Sequence, residues 1–202
     1  MNNEIKHGLV VDVETTGLGP DRDEVIELAL KLFSYIEETG EVMEIIDVDS
    51  FLREPLTVSA KRNYSSAFRV HGIPYEMVQG KSFSDDRIMT FFERADAIFA
   101  HNASFDRSFL LRMYPSVNES DWYCTMRGVP WKGYGFPDSR LLTLLQAHSI
   151  TEYQSHRALD DITNLLELLK QTSPRGTLYL KEIINGRPMR QYQAKTTVRK
   201  SV

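Results

Sequence analysis

The sequence predicts an α/β fold in which helices flank a mixed central sheet. An apolar run over residues 8–13 leads into a turn that contains Gly17, Gly19 and Pro20, and this pattern is typical of a buried first strand. Two further strand candidates, residues 25–33 and 41–52, are joined by a short turn with Gly40, which indicates an antiparallel pair. Strand and helix patterns then alternate along the chain, as in a sheet covered by helices.

The spacing of apolar residues predicts the remaining elements. Residues 57–79 mix helix formers with a break at Gly72 and Pro74, so we predict short helices interrupted there. Apolar residues at helical spacing predict helices over residues 84–94, 104–114, 141–148, 158–170 and 179–184. Short apolar runs predict buried strands over residues 97–100 and 122–124. We expect Ser84 to cap the first of these helices, and Asp138 or Ser139 to cap the helix over 141–148.

Length and charge bound the domain organisation. A chain of 202 residues, 42% of them hydrophobic, suits one compact domain with an appendage, and we place a domain at residues 1–172 and a basic C-terminal appendage at 173–202. From residue 171 onward, seven basic residues accompany one acidic residue, whereas residues 1–170 carry 17 basic and 27 acidic ones. The basic segment either attracts phosphates to an otherwise acidic protein or simply stays solvated.

Cysteine content and hydropathy indicate the compartment. Cys124 is the single cysteine of the chain and cannot form an internal disulfide. The N-terminus lacks an apolar stretch of signal-peptide length, and no run approaches the roughly 18 apolar residues of a spanning helix. We therefore expect a cytoplasmic protein with no membrane role.

Asp12 and Glu14 form the first candidate site. Side chains alternate between the two faces of a strand, so these two carboxylates point the same way while Val11 and Val13 point into packing on the other face. Two like charges at this spacing repel each other unless a cation neutralises them, which makes the pair a candidate metal site. The alternative is a strand end whose polar edge faces water.

Two later segments supply more acidic groups and a histidine. Asp106 lies at the start of a predicted helix, shortly after the strand that leads into His101 and Asn102. The dipole of the helix favours a carboxylate at this position. In the helix that follows His156, Asp161 shares the apolar face, whereas Asp160 is rotated about 100° toward solvent. A carboxylate on a buried face needs a partner, and a metal ion is one such partner.

These three segments resemble the motifs of the DEDDh (DnaQ-like) 3′-5′ exonuclease family, which includes the epsilon subunit of DNA polymerase III, exonuclease X and ribonuclease T. Residues 12–18 (DVETTGL) resemble the first motif and residues 101–106 (HNASFD) the second. His156, with Asp161 five positions later, resembles the third, and residues 71–73 (HGI) also fit the family. The resemblance covers roughly residues 8–170.

The resemblance implies a ribonuclease H-like fold and a two-metal hydrolysis that releases nucleoside 5′-monophosphates from nucleic-acid 3′ ends. By this resemblance Asp12, Glu14 and Asp161 hold the metal that carries the attacking water. Asp12 and Asp106 share the second metal, and His156 accepts the proton of the water. Two Mg²⁺ ions suit such an oxygen-rich site, and Mn²⁺ would also fit.

The resemblance also implies a substrate pocket. Thr15 and Thr16 would contact the terminal nucleotide, Leu18 would lie near its base, and Asn102 and Phe105 would shape the pocket. For Leu18 and Phe105, ordinary packing is an equal alternative. Residues 125–140, rich in Gly, Pro and aromatic residues, match no motif and form either a loop beside the site or a cover over the core.

The sequence is compatible with three functions. We expect a nuclease whose partner is a nucleic-acid 3′ end, with DNA favoured and with possible association with a polymerase. An RNA-trimming exoribonuclease would use the same metal chemistry, since only recognition of the 2′-hydroxyl distinguishes the two polymers. A non-catalytic nucleic-acid-binding module would keep the fold, because fold alone does not establish activity.

Overall fold

The computed structural model describes residues 4–192 and contains one mixed sheet of five strands in the order β3-β2-β1-β4-β5. β1 pairs antiparallel with β2, and β2 pairs antiparallel with β3, so the predicted antiparallel pair is confirmed. β4 pairs parallel with β1 on one side and with β5 on the other. The strands are β1 Ile5–Thr15, β2 Val25–Ile36, β3 Val42–Leu52, β4 Ala97–Ala100 and β5 Asp121–Cys124.

Helices surround this sheet, and the predicted α/β class is confirmed. Short 3₁₀ turns at Pro115–Asn118 and Trp131–Tyr134 complete the connections. The helices are α1 Val58–His71, α2 Tyr75–Val78, α3 Asp85–Glu93, α4 Ser104–Met113, α5 Thr125–Gly128, α6 Leu141–Ala147, α7 Ala158–Leu169 and α8 Tyr179–Ile184. Within residues 4–192, none of them has both the length and the apolar composition that crossing a bilayer requires.

Alternation along β1 divides the core into two layers. Val10 packs on one face with apolar residues of α6, α7 and α8. Val11 and Val13 pack on the opposite face with apolar residues of α3 and α4. Apolar layers cover both faces of β1, so a polar side chain is accommodated on β1 only near an end of the strand. The candidate site lies toward the C-terminal end of β1.

α1 and α2 agree with the predicted break. The sequence predicts short helices interrupted at Gly72 and Pro74, and the structure places the interruption there, between α1 (residues 58–71) and α2 (residues 75–78), although α1 is longer than expected at 14 residues. The Thr57 side chain caps it by accepting a hydrogen bond from Ala60 N at 3.2 Å. The helix ends at Gly72, whose φ of 64° is a left-handed conformation that glycine adopts easily. The predicted break is therefore confirmed.

Of the two predicted caps, that of α3 is confirmed in position and that of α6 is wrong. Ser84 occupies the N-cap position of α3, but its side chain makes no capping hydrogen bond. The N-cap of α6 is Arg140, and neither Asp138 nor Ser139 holds that position. Asp138 Oδ1 instead accepts a hydrogen bond from Arg140 N at 2.9 Å, which forms a local turn that delays the start of the helix.

The segments after β5 cover the core and one edge of the sheet. Trp131 is 1% exposed and packs against Tyr179, so residues 125–140 contribute to the core. Beyond α8, Met189 N donates a hydrogen bond to Trp122 O at 2.7 Å, so the chain runs along the outer edge of β5. The division at residue 172 stays a prediction, and Lys195, Arg199 and Lys200 of the basic segment lie outside the described residues.

Candidate active site

The end of β1 carries the first two predicted residues. In the β1–β2 register, Asp12 pairs with Ala29 and Glu14 pairs with Glu27, and a bulge follows between Glu14 and Thr15. Asp12 and Glu14 lie two residues apart and so share the face on which Val10 packs against α7. Both side chains are partly buried.

Asp106 reaches the same place from α4. Its side chain is 2% exposed and lies in the first turn of the helix. Asp106 Oδ1 accepts a hydrogen bond from Val13 N at 3.2 Å, which ties α4 to the end of β1. The structure therefore brings Asp106 against Asp12, as its contribution to the pKa of Asp12 also indicates.

Asp161 enters from α7. It is 5% exposed, whereas Asp160 is exposed, so the two adjacent aspartates point in different directions as expected. Asp161 Oδ2 accepts a hydrogen bond from Gln154 Nε2 at 2.6 Å. Asp161 Oδ1 is buried and has no hydrogen-bond partner among residues 4–192. A buried carboxylate oxygen without a donor is suited to a cation.

His156 lies beside this carboxylate. One ligand atom each from Glu14, His156 and Asp161 lie within 4.8 Å of one another, so these three residues could hold a metal ion. His156 is exposed, and its φ of 51° is a left-handed conformation that is uncommon outside glycine. Backbone strain of this kind often occurs at functional sites. The structure therefore brings together all four predicted carboxylates and the histidine, with Asp12 and Asp106 adjoining the group of three.

Crowding and burial raise the pKa values of the acidic groups. Burial raises the pKa of Asp12 well above its usual range, and the charges of Asp106, Glu14 and Asp161 raise it further. Burial, followed by the charges of Asp161 and Glu27, raises the pKa of Glu14 to about 9. Burial raises the pKa of Asp106 to about 7, although hydrogen bonds from backbone N–H groups oppose this shift. Such a site favours a bound cation, which stabilises the ionised carboxylates.

Glu27 and Arg157 belong to the site but were not predicted. Glu27 is 0% exposed on β2 and accepts hydrogen bonds from Arg157 Nη2 at 2.8 Å and from Ala158 N at 3.1 Å. This pair fastens the start of α7, and with it His156 and Asp161, to the strand beside β1. The signal in the sequence was a single glutamate within the apolar run of β2, because a buried charge requires a partner.

Replacing Glu27 by Gln should lower kcat about tenfold while KM stays unchanged, because the neutral side chain holds Arg157 less firmly and loosens the start of α7. We expect the unfolding free energy to fall by about 1–3 kcal/mol, with relief of repulsion on Glu14 offsetting part of the loss. Steady-state kinetics and thermal unfolding measure both effects. Ser50→Ala is the matched control, since the Ser50 hydroxyl lies 3.4 Å from the same carboxylate. A loss of stability with unchanged kcat would show that the pair supports only the fold.

His101 connects the site to residues 125–140. Burial lowers the pKa of His101 to about 4, so its imidazole is neutral at pH 7. Its Nε2 donates to Ser139 O at 2.7 Å, and its Nδ1 accepts from Thr125 Oγ1 at 3.0 Å. The segment that matched no motif thus holds the loop between β4 and α4 in place. Asn102 follows in this loop with a φ of 66°, a left-handed conformation that asparagine tolerates.

A pocket of about 470 Å³ lies beside the acidic groups. Four of the five predicted substrate residues line it, namely Thr15, Thr16, Leu18 and Phe105, whereas Asn102 is not among the described residues that do. Leu18 is 82% exposed and so is available to a ligand. The other lining residues come from β1, the β1–β2 loop and α1: Val13, Glu14, Gly17, Arg22, Asp23, Asn63, Ser66, Ala67, Val70 and His71.

Hydrogen bonds fix the turn that forms one wall of this pocket. The Thr15 hydroxyl donates to Gly17 O at 2.6 Å, and the Thr16 hydroxyl accepts from Glu24 N at 3.0 Å. Asp23 accepts from Gly19 N at 2.9 Å. A Cβ atom at Gly17 would lie 2.5 Å from the Asp23 carboxylate, so only glycine fits this position. The wall is therefore rigid before any ligand binds.

The sheet topology and the convergent acidic groups are those of an exonuclease domain, and comparison with known proteins agrees. The chain belongs to the DnaQ-like exonuclease family, because the family described as Exonuclease matches residues 9–169. This match spans the sheet, the pocket and all four carboxylates.

Individual relatives and structures fit this assignment. The DNA polymerase III PolC-type protein of Bacillus subtilis is 30% identical over 186 residues, and that of Clostridium perfringens is 29% identical over 170 residues. These matches cover 87% and 80% of this chain, which spans only 12% and 11% of the length of those relatives. The match to Escherichia coli ExoI in its complex with ssDNA has a TM-score of 0.65 at 18% identity. It covers 88% of this chain and 42% of the ExoI chain. The match to a 3′-exonuclease that recognises a histone mRNA stem-loop has a TM-score of 0.60 at 14% identity. It covers 82% of this chain and 80% of the exonuclease chain. At such identities these two structures show the fold alone.

Proposed function

We propose that this chain is a metal-dependent 3′-5′ exonuclease that hydrolyses phosphodiester bonds at nucleic-acid 3′ ends and releases nucleoside 5′-monophosphates. One observation carries the proposal: Asp12, Glu14, Asp106 and Asp161 converge beside His156, and Glu14 also lines a pocket of about 470 Å³. A fold has little reason to crowd four acidic groups, two of them almost fully buried, unless cations neutralise them.

The donor set fits divalent cations. The site offers carboxylate oxygens, which are the preferred ligands of Mg²⁺ and Mn²⁺, and Asp161 Oδ1 lacks any other partner within residues 4–192. We propose two Mg²⁺ ions, with Mn²⁺ as a substitute. Asp12, Glu14 and Asp161 would hold one of them, and Asp12 and Asp106 the other. When bound, such ions stabilise the charge that develops on a phosphate during an in-line displacement.

The protein's own groups would position the substrate and move the proton. We propose that His156 is the general base that accepts a proton from the attacking water, since it adjoins Glu14 and Asp161. Its exposure allows the proton to pass on to solvent. Thr15, Thr16, Leu18 and Phe105 would enclose the terminal nucleotide, with Asn102 supporting the loop before α4. The rigid turn at Gly17 would hold that nucleotide without rearrangement.

We propose DNA as the preferred polymer and a DNA polymerase as a partner, acting in the cytoplasm. The names of the PolC-type relatives support both proposals, although the chain spans a small part of those proteins. An RNA-trimming activity is the second candidate, because one structural relative recognises a histone mRNA stem-loop. Rates on single-stranded DNA, duplex DNA and RNA of matched sequence distinguish these substrates. Comigration with a purified replicative polymerase tests the partner.

A 5′-end-labelled oligonucleotide incubated with the protein and Mg²⁺ tests the activity. We expect a ladder that shortens from the 3′ end, no reaction in a chelator, and nucleoside 5′-monophosphates as the products. Asp161→Asn should abolish the ladder because it removes a carboxylate on the inward face of α7. Asp160→Asn is the matched control and should stay active, since that side chain is exposed.

The two variants also distinguish the activity of this protein from that of contaminating nucleases. Both proteins are purified in the same way, so a ladder that persists in Asp161→Asn would come from another enzyme. The absence of shortening by the unaltered protein with either Mg²⁺ or Mn²⁺ would refute the exonuclease proposal and favour a non-catalytic nucleic-acid-binding module.

A further inference from the structure

The composition of α1 is unusual for this chain. Its 14 residues include Lys61, Arg62 and Arg69 but no aspartate or glutamate, whereas residues 1–170 as a whole carry 17 basic and 27 acidic residues. Lys61 is paired with Glu54 at 3.3 Å. Arg62 and Arg69 are exposed, and no carboxylate within residues 4–192 forms an ion pair with either of them. α1 therefore presents two positive charges, unpaired within residues 4–192, in a segment (residues 1–170) that is acidic overall.

Helical geometry places these two arginines beside the pocket. Asn63, Ser66 and Val70 of α1 line it. Arg62 and Arg69 lie seven residues apart, so they share one face about 10 Å apart along the axis, and that face adjoins Ser66. Arg62 and Arg69 therefore border the pocket on its solvent side.

Apolar side chains and a third arginine extend the same border. Val70 is 62% exposed and Leu18 is 82% exposed, and both line the pocket. Arg22, from the β1–β2 loop, also lines it; its guanidinium lies 3.5 Å from the Asp23 carboxylate, but 72% of the side chain is exposed. Exposed apolar groups next to exposed arginines suit a single strand, whose bases rest on the apolar surface while its phosphates meet the charges.

We propose that α1 is the track for the substrate strand: Arg62 and Arg69 bind the phosphates on the 5′ side of the terminal nucleotide, with Arg22 at the start of the track. This inference rests on the proposed function, because it takes the pocket as the place of the 3′-terminal nucleotide. Charge complementarity supports it, since residues 1–170 are acidic overall and, without such cations, would repel the phosphates of a strand. The contact is with the backbone and so would not depend on base sequence.

The double variant Arg62→Ala, Arg69→Ala tests the track. We expect KM for single-stranded oligothymidylate to rise roughly tenfold with kcat unchanged, and the slope of log KM against log salt to fall by about one per arginine removed. Hydrolysis of the p-nitrophenyl ester of thymidine 5′-monophosphate should not change, because that substrate has no phosphate upstream of its single nucleotide. Alanine is a strong helix former, so the exposed positions should keep α1 folded.

Two controls separate charge from structure. Arg62→Lys, Arg69→Lys keeps both charges and should bind the oligonucleotide nearly as well as the unaltered protein. Arg127→Ala removes an exposed arginine of α5, which follows β5 on the other side of β1 from α1, and should change neither substrate. An unchanged KM and salt slope in the alanine double variant would overturn the track, and so would an equal loss on the ester.

Binding of a fluorescein-labelled oligothymidylate, measured by anisotropy in a chelator, keeps the inference testable without hydrolysis. If the unaltered protein binds the strand but cleaves neither substrate, the proposed function fails. A roughly tenfold weaker affinity of the alanine double variant would then still support the track. Absence of strand binding by the unaltered protein, or equal binding by the double variant, would refute it.

Discussion

Replacing Asp12 by Asn should slow hydrolysis by more than about a thousandfold, which corresponds to about 4 kcal/mol of lost transition-state stabilisation. Asp12 is central in the site, since the charges of Asp106, Glu14 and Asp161 all act on it. Asparagine keeps the shape of the side chain but supplies no negative charge to a cation. The effect should therefore appear in kcat, and single-turnover hydrolysis of an oligonucleotide measures it directly.

The same substitution should stabilise the metal-free protein. The Asp12 carboxylate adds repulsion to a crowded site, so its removal should raise the melting temperature in a chelator by a few degrees. Added Mg²⁺ should raise the melting temperature of the unaltered protein more than that of the variant. Activity within tenfold of the unaltered enzyme, or an unfolded variant, would contradict the role assigned to Asp12.

The metal-free protein should lose stability as the pH rises from about 6 to 9. Glu14 and Asp106 have pKa values of about 9 and about 7 in the folded protein, above the ordinary values of 4.5 and 3.8. Between pH 6 and pH 9 the folded state therefore binds more protons than the unfolded state. Proton linkage then makes the unfolding free energy fall as the pH rises. A loss of a few kcal/mol corresponds to a decrease on the order of 10 °C in melting temperature.

Thermal unfolding in a chelator at pH 6 and pH 9 measures this decrease. Mg²⁺ should oppose it, and its stabilising effect should be larger at pH 9, where the carboxylates are ionised and available as ligands. Glu14→Gln should flatten the pH dependence because it removes the group with the higher pKa. A melting temperature that rises over this interval in the chelator would show that the carboxylates do not crowd one another.

Local patterns were sufficient to predict most of the fold. The strand over residues 97–100 and the helix over residues 179–184 match the structure residue for residue, because each is bounded by clear changes in composition. The break between α1 and α2 was predicted from Gly72 and Pro74, whereas the packing of Tyr64 in one cluster with Ile26 on β2 depends on tertiary structure. Ser84 was correctly placed at the N-cap of α3, whereas the cap of α6 was missed because side chains in such turns have several local partners of similar energy.

The residues of the candidate site also divide into those that local motifs predict and those that depend on tertiary contacts. Asp12, Glu14, Asp106, Asp161 and His156 were identified from spacing within short motifs and from a family resemblance. Glu27 and Arg157 are separated by 130 residues in the chain, and no local pattern indicates that they meet. The orphaned oxygen of Asp161 and the contacts of His101 with residues 125–140 likewise depend on tertiary structure.

The alternation of side chains along β1 makes this strand sensitive to its length. Deleting one residue between Gly8 and Asp12 would turn Asp12 and Glu14 into the layer formed with α3 and α4, and would turn Val11 and Val13 toward α7. Many substitutions within the strand preserve its geometry, whereas a single insertion or deletion inverts both faces at once. The fold of this chain should therefore tolerate conservative replacement of residues in β1 far better than a change in their number.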